Sequence, residues 1–204
     1  MSNEEIKAER AQSIVGAFFE VNDGMIEVIS YNGNKRVLVR FCESGYSTVT
    51  TMVNIRSRQV KDKFKPTVCG VGYVGEGVLV KGDERRKLYM VWRNMLIRLT
   101  DNVNFPTYAT VGVDPRWYCF AEFVHDVIAL PGYERFMTER DLSLDKDIRN
   151  PTSPKRYCKN NCMWISKAEN TIQMVKEREQ RKATPATVQK HTQHTQAAIQ
   201  SIQW

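Results

Sequence analysis

The chain has 204 residues, a mass of 23.6 kDa, and 42% hydrophobic against 26% charged residues, the proportions of an ordinary globular protein. No apolar run approaches the roughly 20 residues of a membrane span, and Met1–Arg10 lacks the basic and apolar regions of a secretion signal, so a protein that is not secreted is expected. A net charge of +7 with a pI near 9.2 favours a polyanionic partner, because neutralising phosphates releases counterions.

In chain order, residues 1–24 read as an N-terminal arm, with a short helix or loose segment from Met1 to Glu20. Residues 25–82 are β-rich. Glu27–Tyr31 and Lys35–Cys42 flank Asn32-Gly33, a hairpin signal because both residues tolerate positive φ. Val37, Val39 and Phe41 alternate with Leu38 and Arg40, as a half-buried strand requires. Gly45 and Tyr46 open another β-rich run through Ile55, so this region is expected to form a small antiparallel sheet or barrel. Arg36, Arg40, Arg56, Arg58, Lys61, Lys63 and Lys65 make it strongly basic.

Gly70-Val71-Gly72-Tyr73-Val74-Gly75 matches a G-x-G-x-x-G nucleotide fingerprint. A dinucleotide loop must open a helix, however, whereas Val78–Lys81 reads as a continuing strand that ends at Gly82-Asp83. A kinase glycine loop would need a catalytic Asp loop and an Asp-Phe-Gly, and neither is present. The glycines are therefore read as bends in an extended β connection.

Residues 83–140 form a helical segment. Leu88, Val91, Trp92, Met95, Leu96 and Leu99 recur at helical spacing over Arg86–Leu99, leaving Arg93 and Arg98 on other faces. A second helix is expected from Pro115 to about Ile128, burying Trp117, Phe120, Val124 and Val127 and ending at Pro131-Gly132. The aromatic stripe of Trp92, Trp117, Phe120 and Phe123 reads as core.

In residues 141–182, Leu144–Ile148 is a short apolar run carrying Asp145, Lys146 and Asp147. A polar loop follows, then a strand around Trp164 and a helix opened by a Ser166/Glu169 capping box with Asn170 in its first turns. Residues 183–204 read as a flexible or weakly helical tail, and His191 and His194 there lack an acidic partner for metal binding. Cys158 and Cys162 are close in sequence, but Cys42, Cys69 and Cys119 are scattered singly. Reduced thiols are the main reading of the five cysteines, with a zinc site as the alternative. The fold class is thus α+β.

Several blocks resemble one family. Tyr89-x-x-Trp92-x-x-Met95-x-x-Arg98, Pro106-x-Tyr108, Trp117-x-x-Phe120-x-x-Phe123 and Asp126 look like the segment that precedes the nuclease motif in bacteriophage HNH homing-endonuclease-like proteins. Lys61-Asp62, Pro66–Val68 and Gly70–Gly77 look like the N-terminal portion of those proteins. Leu144–Ile148 and Tyr157–Asn170 resemble their degenerate HNH block. The resemblance covers roughly residues 30 to 175 and implies a C-terminal ββα-metal unit, a phage-encoded hydrolase of double-stranded DNA, and action in the host cytoplasm. It implies that Asp145 and Asn170 hold Mg²⁺, that Asn161 braces the loop, and that the metal stabilises the leaving 3′ oxygen.

Lys146 stands where the general-base His of that family belongs. A lysine is protonated at neutral pH unless buried or crowded by other cations, which suits it to holding a phosphate better than to accepting a proton. Apart from the resemblance, Asp145, Lys146 and Asp147 read equally as a salt-bridged turn end, and Asn170 as a plain helix residue. Expected DNA contacts are Arg36, Arg40, Arg56, Arg58, Lys61, Lys63, Lys65, Arg93, Arg98 and Lys167. Two readings stand: a Mg²⁺-dependent DNA-cutting enzyme, or a nuclease-derived module that binds DNA or a host protein without cutting.

Overall fold

Alternation of apolar residues builds the first half of the chain. In the computed structural model, which describes residues 5, 9, 12–149 and 154–183, Ile26 and Val28 of one strand and Val37, Val39 and Phe41 of the next are all buried on one sheet face. The chain divides into two compact units, Met1–Ile128 and Ala129–Trp204. Both α and β elements are present, and no described helix is long and apolar enough to cross a membrane.

The first unit opens with four antiparallel strands in sequential order: β1 (Phe18–Val21), β2 (Gly24–Tyr31), β3 (Val37–Phe41) and β4 (Ser47–Thr50). The sheet is open; β1 and β4 do not meet, so the barrel option is set aside. A helix covers one face instead. Thr51 caps α1 (Met52–Arg56) by accepting the Asn54 amide at 3.1 Å, and Met52 and Ile55 join Val60 and Tyr46 over the apolar face. The expected β run to Ile55 therefore stops at Thr50, where a capping hydroxyl outweighs the β-branched composition. The expected arm also contributes β1, since Phe19 and Val21 turn toward the sheet interior. Of the Asn32-Gly33 pair, only Gly33 takes a positive φ (92°); β3 begins at Val37, after a loop in which Asn32 donates to the Arg36 carbonyl at 2.9 Å.

The glycine-rich segment is shaped by close packing. A Cβ on Gly72 would lie 2.9 Å from the Trp92 ring and against Leu96, and one on Gly75 would strike the Cys119 sulfur. Val78–Lys81 is not a strand, and α2 (Gly82–Thr100) begins directly after it. Leu88, Trp92, Met95 and Leu96 are the buried face of α2. The single helix expected from Pro115 is two elements. A 3₁₀ turn, Pro115–Tyr118, stops at Cys119, whose extended ψ of 121° lets Tyr73 bridge beside it, and α3 (Phe120–Val127) then starts. Tyr73 donates to the Tyr118 carbonyl at 2.9 Å, a bond that a continuous helix would forfeit.

Indole hydrogen bonds lock this core. Trp92 Nε1 donates to the Trp117 carbonyl at 2.7 Å, and Trp117 Nε1 donates to Asp126 Oδ2 at 2.9 Å. Asp126 is buried, and Arg116 supplies the opposing charge at 3.3 Å. Tyr89, Trp92, Phe120, Phe123 and Trp117 form a continuous aromatic run with centroid spacings of 5.2–6.5 Å.

The second unit places a short helix that the sequence did not signal, α4 (Tyr133–Thr138), beside a two-stranded ribbon of β5 (Leu142–Asp145) and β6 (Met163–Ser166). Trp164 is buried and stacks on Phe136 with centroids 3.9 Å apart, while its amide donates to the Pro131 carbonyl at 2.9 Å. From Ser166 the chain enters α5 (Lys167–Ala183). Residues 184–204, including His191 and His194, lie outside the described residues.

Candidate nucleic-acid and metal site

The turn after β5 is organised by Asp145. Its Oδ2 accepts the amides of Asp147 and Ile148, each at 2.8 Å, so a buried carboxylate folds the chain back over itself. Those bonds leave Oδ1 outside the turn.

The side chains that follow neutralise each other. Lys146 Nζ lies 3.0 Å from Asp147 Oδ2 and 5.6 Å from the Tyr157 ring centroid, with only 12% of its side chain exposed. Lys155 approaches the same Asp147 oxygen at 3.3 Å. The other oxygen, Oδ1, is buried without a hydrogen-bond partner. Lys146 thus sits between a carboxylate and an aromatic face.

Backbone carbonyls close the loop from the other side. The Asn161 carboxamide, buried, donates to the carbonyls of Arg156 at 3.3 Å and, more weakly, Pro154 at 3.5 Å. Arg149 donates to the carbonyls of Lys159 and Cys162 at 3.0 and 3.2 Å. Cys158 and Cys162 lie on one turn, joined by a 3.0 Å backbone bond, and burial pushes the Cys162 thiol well above its ordinary value. All five cysteines are free, and among the described residues no group of three His, Cys, Asp or Glu converges for a metal.

Asn170 occupies the fourth position of α5 and is half-buried. The antiparallel register pairs Asp145 with Met163 and Leu142 with Ser166. Asp145 and the start of α5 are therefore at opposite ends of the ribbon, about 10 Å apart at 3.4 Å per residue. The start of α5 is fixed by a reciprocal capping box: the Ser166 amide donates to Glu169 Oε2 at 2.7 Å and the Glu169 amide to Ser166 Oγ at 3.1 Å. Arg135 of α4 reaches Glu169 at 3.0 Å and Glu139 at 3.1 Å. The Ser166 amide, followed by Arg135, holds the Glu169 carboxyl down at about 2, and the two glutamates push Arg135 further up.

The expected DNA contacts differ in how freely they can reach a phosphate. Arg40 is paired with Glu27 on the outer sheet face at 2.7 Å, Arg58 with Glu20 at 3.1 Å, Lys61 with Asp23 at 3.5 Å and Lys63 with Glu76 at 3.1 Å. Arg98 lies over the Tyr108 ring at 5.7 Å, and Lys167 is 3.8 Å from Asp141. Among the described residues Arg36, Arg56, Lys65 and Arg93 have no ion pair. The sequence reading passed over Arg149 and Lys155, and only the cationic character of the loop could have signalled them. No protein-family model, curated protein or solved structure matches the chain.

Proposed function

We propose that this chain binds double-stranded DNA and carries an HNH-like strand–loop–strand–helix unit, of the kind found in bacteriophage homing endonucleases, in a binding rather than a cutting role. The observation that carries the binding role is the Lys146–Asp147 pair: the residue at the general-base position is a lysine whose amine is held 3.0 Å from a carboxylate and set over Tyr157. Support for DNA as partner comes from the +7 charge and from cations such as Arg36, Arg56, Lys65 and Arg93 that no described acid occupies. Support for the HNH-like unit comes from its order: an aspartate at the end of β5, a braced loop, Trp164 in β6, and a capped α5 bearing Asn170.

The test is binding to a labelled duplex across a salt series. Log affinity should fall linearly with log salt, with a slope of about −0.9 per phosphate neutralised. A flat response would remove DNA as the partner.

A second reading, Mg²⁺-dependent nicking in the host cytoplasm, is favoured by one feature. Asp145 keeps Oδ1 outside its turn, and the Asn170 carboxamide makes no hydrogen bond to a described residue. The resemblance assigns both groups to Mg²⁺, but Asp145 and the start of α5 stand at opposite ends of the ribbon, so an ion at the loop would rest on Asp145 Oδ1 and keep most of its waters. Bound there, the ion would supply charge stabilisation at the leaving 3′ oxygen. Lys146 would then contribute a cation toward the phosphate, and Asn161 would keep the loop in shape. Supercoiled plasmid incubated with Mg²⁺ or Mn²⁺ decides between the readings. Nicking by the wild type that Asp145→Ala abolishes would establish the enzyme, and equal inertness of both would leave the binding role.

A further inference from the structure

Residues 61–65 of the first unit form a pinned turn that presents an aromatic ring among lysines. Asp62, which is buried, accepts the Phe64 amide through Oδ1 at 2.8 Å and the Ser44 hydroxyl through Oδ2 at 2.6 Å. The Asp62 amide donates to Asp23 Oδ2 at 3.0 Å, and the Gly75 amide donates to the Lys63 carbonyl at 2.8 Å. The Asp62–Phe64 bond closes the turn on itself and the other three tie it to neighbouring segments, so the turn is preorganised.

The Phe64 ring is supported from within. It sits 5.4 Å from Tyr46 and 5.9 Å from Tyr73, and Tyr46 in turn stacks on Phe41 of the sheet core at 6.1 Å. Even so, Phe64 keeps 40% of its surface open to solvent. Full burial of a Phe side chain is worth about 1.5–3 kcal/mol, and part of that is left unrealised here.

The charges around the ring match a phosphate chain. Lys61, Lys63 and Lys65 lie three and one residues before Phe64 and one after it. Lys61 is 69% exposed and its contact with Asp23 is a long 3.5 Å; Lys65 has no ion pair among the described residues. Lys63 pairs with Glu76, whose charge is shared with the Tyr46 hydroxyl at 3.1 Å. A part-exposed, anchored aromatic ring with lysines next to it in the chain offers the chemistry that binds single-stranded nucleic acid, through base stacking and backbone neutralisation.

We propose that Phe64, flanked by Lys63 and Lys65, is a stacking platform for an unpaired base of a single-stranded nucleic-acid segment. The proposal shares with the reading above a nucleic-acid partner and Lys61, Lys63 and Lys65; it needs neither a duplex nor an HNH-like unit. Sugar type does not enter the stacking, so DNA and RNA strands offer the same chemistry, and measurement separates them.

Anisotropy of labelled oligo-dT, oligo-rU, an abasic oligodeoxynucleotide and a duplex, each about 15 nucleotides or base pairs as a practical length for a site of roughly 4–16 nucleotides, tests it. The full chain and Phe64→Leu are compared, leucine being chosen because it keeps apolar contact with Tyr46 and Tyr73 while removing the π-face. Phe64→Leu should weaken oligo-dT or oligo-rU binding about 5- to 150-fold, the range set by 1–3 kcal/mol per stacked base at about 1.4 kcal/mol per tenfold. Abasic and duplex affinities should stay within about twofold of wild type, and Phe64→Trp should restore single-strand binding. Thermal midpoints of the variants confirm that each is folded. Unchanged single-strand affinity in a folded Phe64→Leu, or equal losses on all four probes, overturns the platform while salt-dependent duplex binding stands. Failure of the wild type to bind any of the four overturns both proposals.

Discussion

The Asp147 amide donates a 2.8 Å hydrogen bond to the Asp145 carboxylate, and Ile148 donates a second to the same oxygen. One buried side chain thereby satisfies two backbone donors of a half-buried turn. Asp145→Ala should destabilise the protein by about 1–3 kcal/mol per orphaned donor at most, less where water reaches the amides. Asp145→Asn, which keeps one acceptor oxygen, should cost less. Urea midpoints for the two variants check the order; an alanine variant as stable as wild type would mean that the turn holds without its acceptor.

Glu169 gives the second unit an acid-side signature. Its folded value near 2 lies below the usual range of about 4.3, so as pH falls the unfolded chain takes up the proton first. Its contribution is complete above about pH 4.3 and is lost as pH drops toward 2. The thermal-midpoint gap between wild type and Glu169→Gln should be open at pH 6 and should narrow steadily between pH 4.3 and 2. Because the group is exposed, added salt should shrink the gap.

The glycines of the fingerprint-like segment should separate by mechanism. Gly72→Ala drives a methyl into Trp92 and Leu96 and should cost about 1–3 kcal/mol by overpacking. Gly77 has open space and only a positive φ of 71°, so Gly77→Ala should cost about 1–2 kcal/mol of backbone strain. Gly75 has both problems and should be the worst of the three. Denaturant unfolding ranks them. A nucleotide whose affinity changed in these variants without a change in stability would reverse the packing account.

Trp117→Phe keeps the ring but removes the indole donor from buried Asp126, leaving Arg116 as its principal charge partner. A loss of about 1–3 kcal/mol is expected by the same unsatisfied-group argument. Trp92→Phe should be milder, because the group it strands is a neutral carbonyl of Trp117 rather than a carboxylate. Calorimetry of the two variants tests the ranking.

Patterns carried by periodicity were legible in the sequence. The buried face of α2, the alternation in β3, and the Ser166/Glu169 box all depend on neighbours a few residues away. Tertiary partners were not legible. Cys119 breaks the expected helix because Tyr73, 46 residues earlier, bridges to it, and Val78–Lys81 stays irregular although its β-branched residues suit a strand. At the candidate site, the sequence named Asp145, Lys146, Asp147 and Asn161. It could not show that Lys146 and Lys155 share Asp147, or that Arg149 binds carbonyls 10 and 13 residues away. Phe64 escaped notice because a lone phenylalanine between lysines has no period.

An open sheet must end somewhere. The outermost strands, β1 and β4, are four residues each, against eight in β2, so the unpaired amides and carbonyls at either margin form short rows. A foreign strand laid along such a margin would gain only a few ladder bonds, too few to seed edge-to-edge growth. Abbreviated borders let this sheet dispense with closure and still resist self-association into fibres.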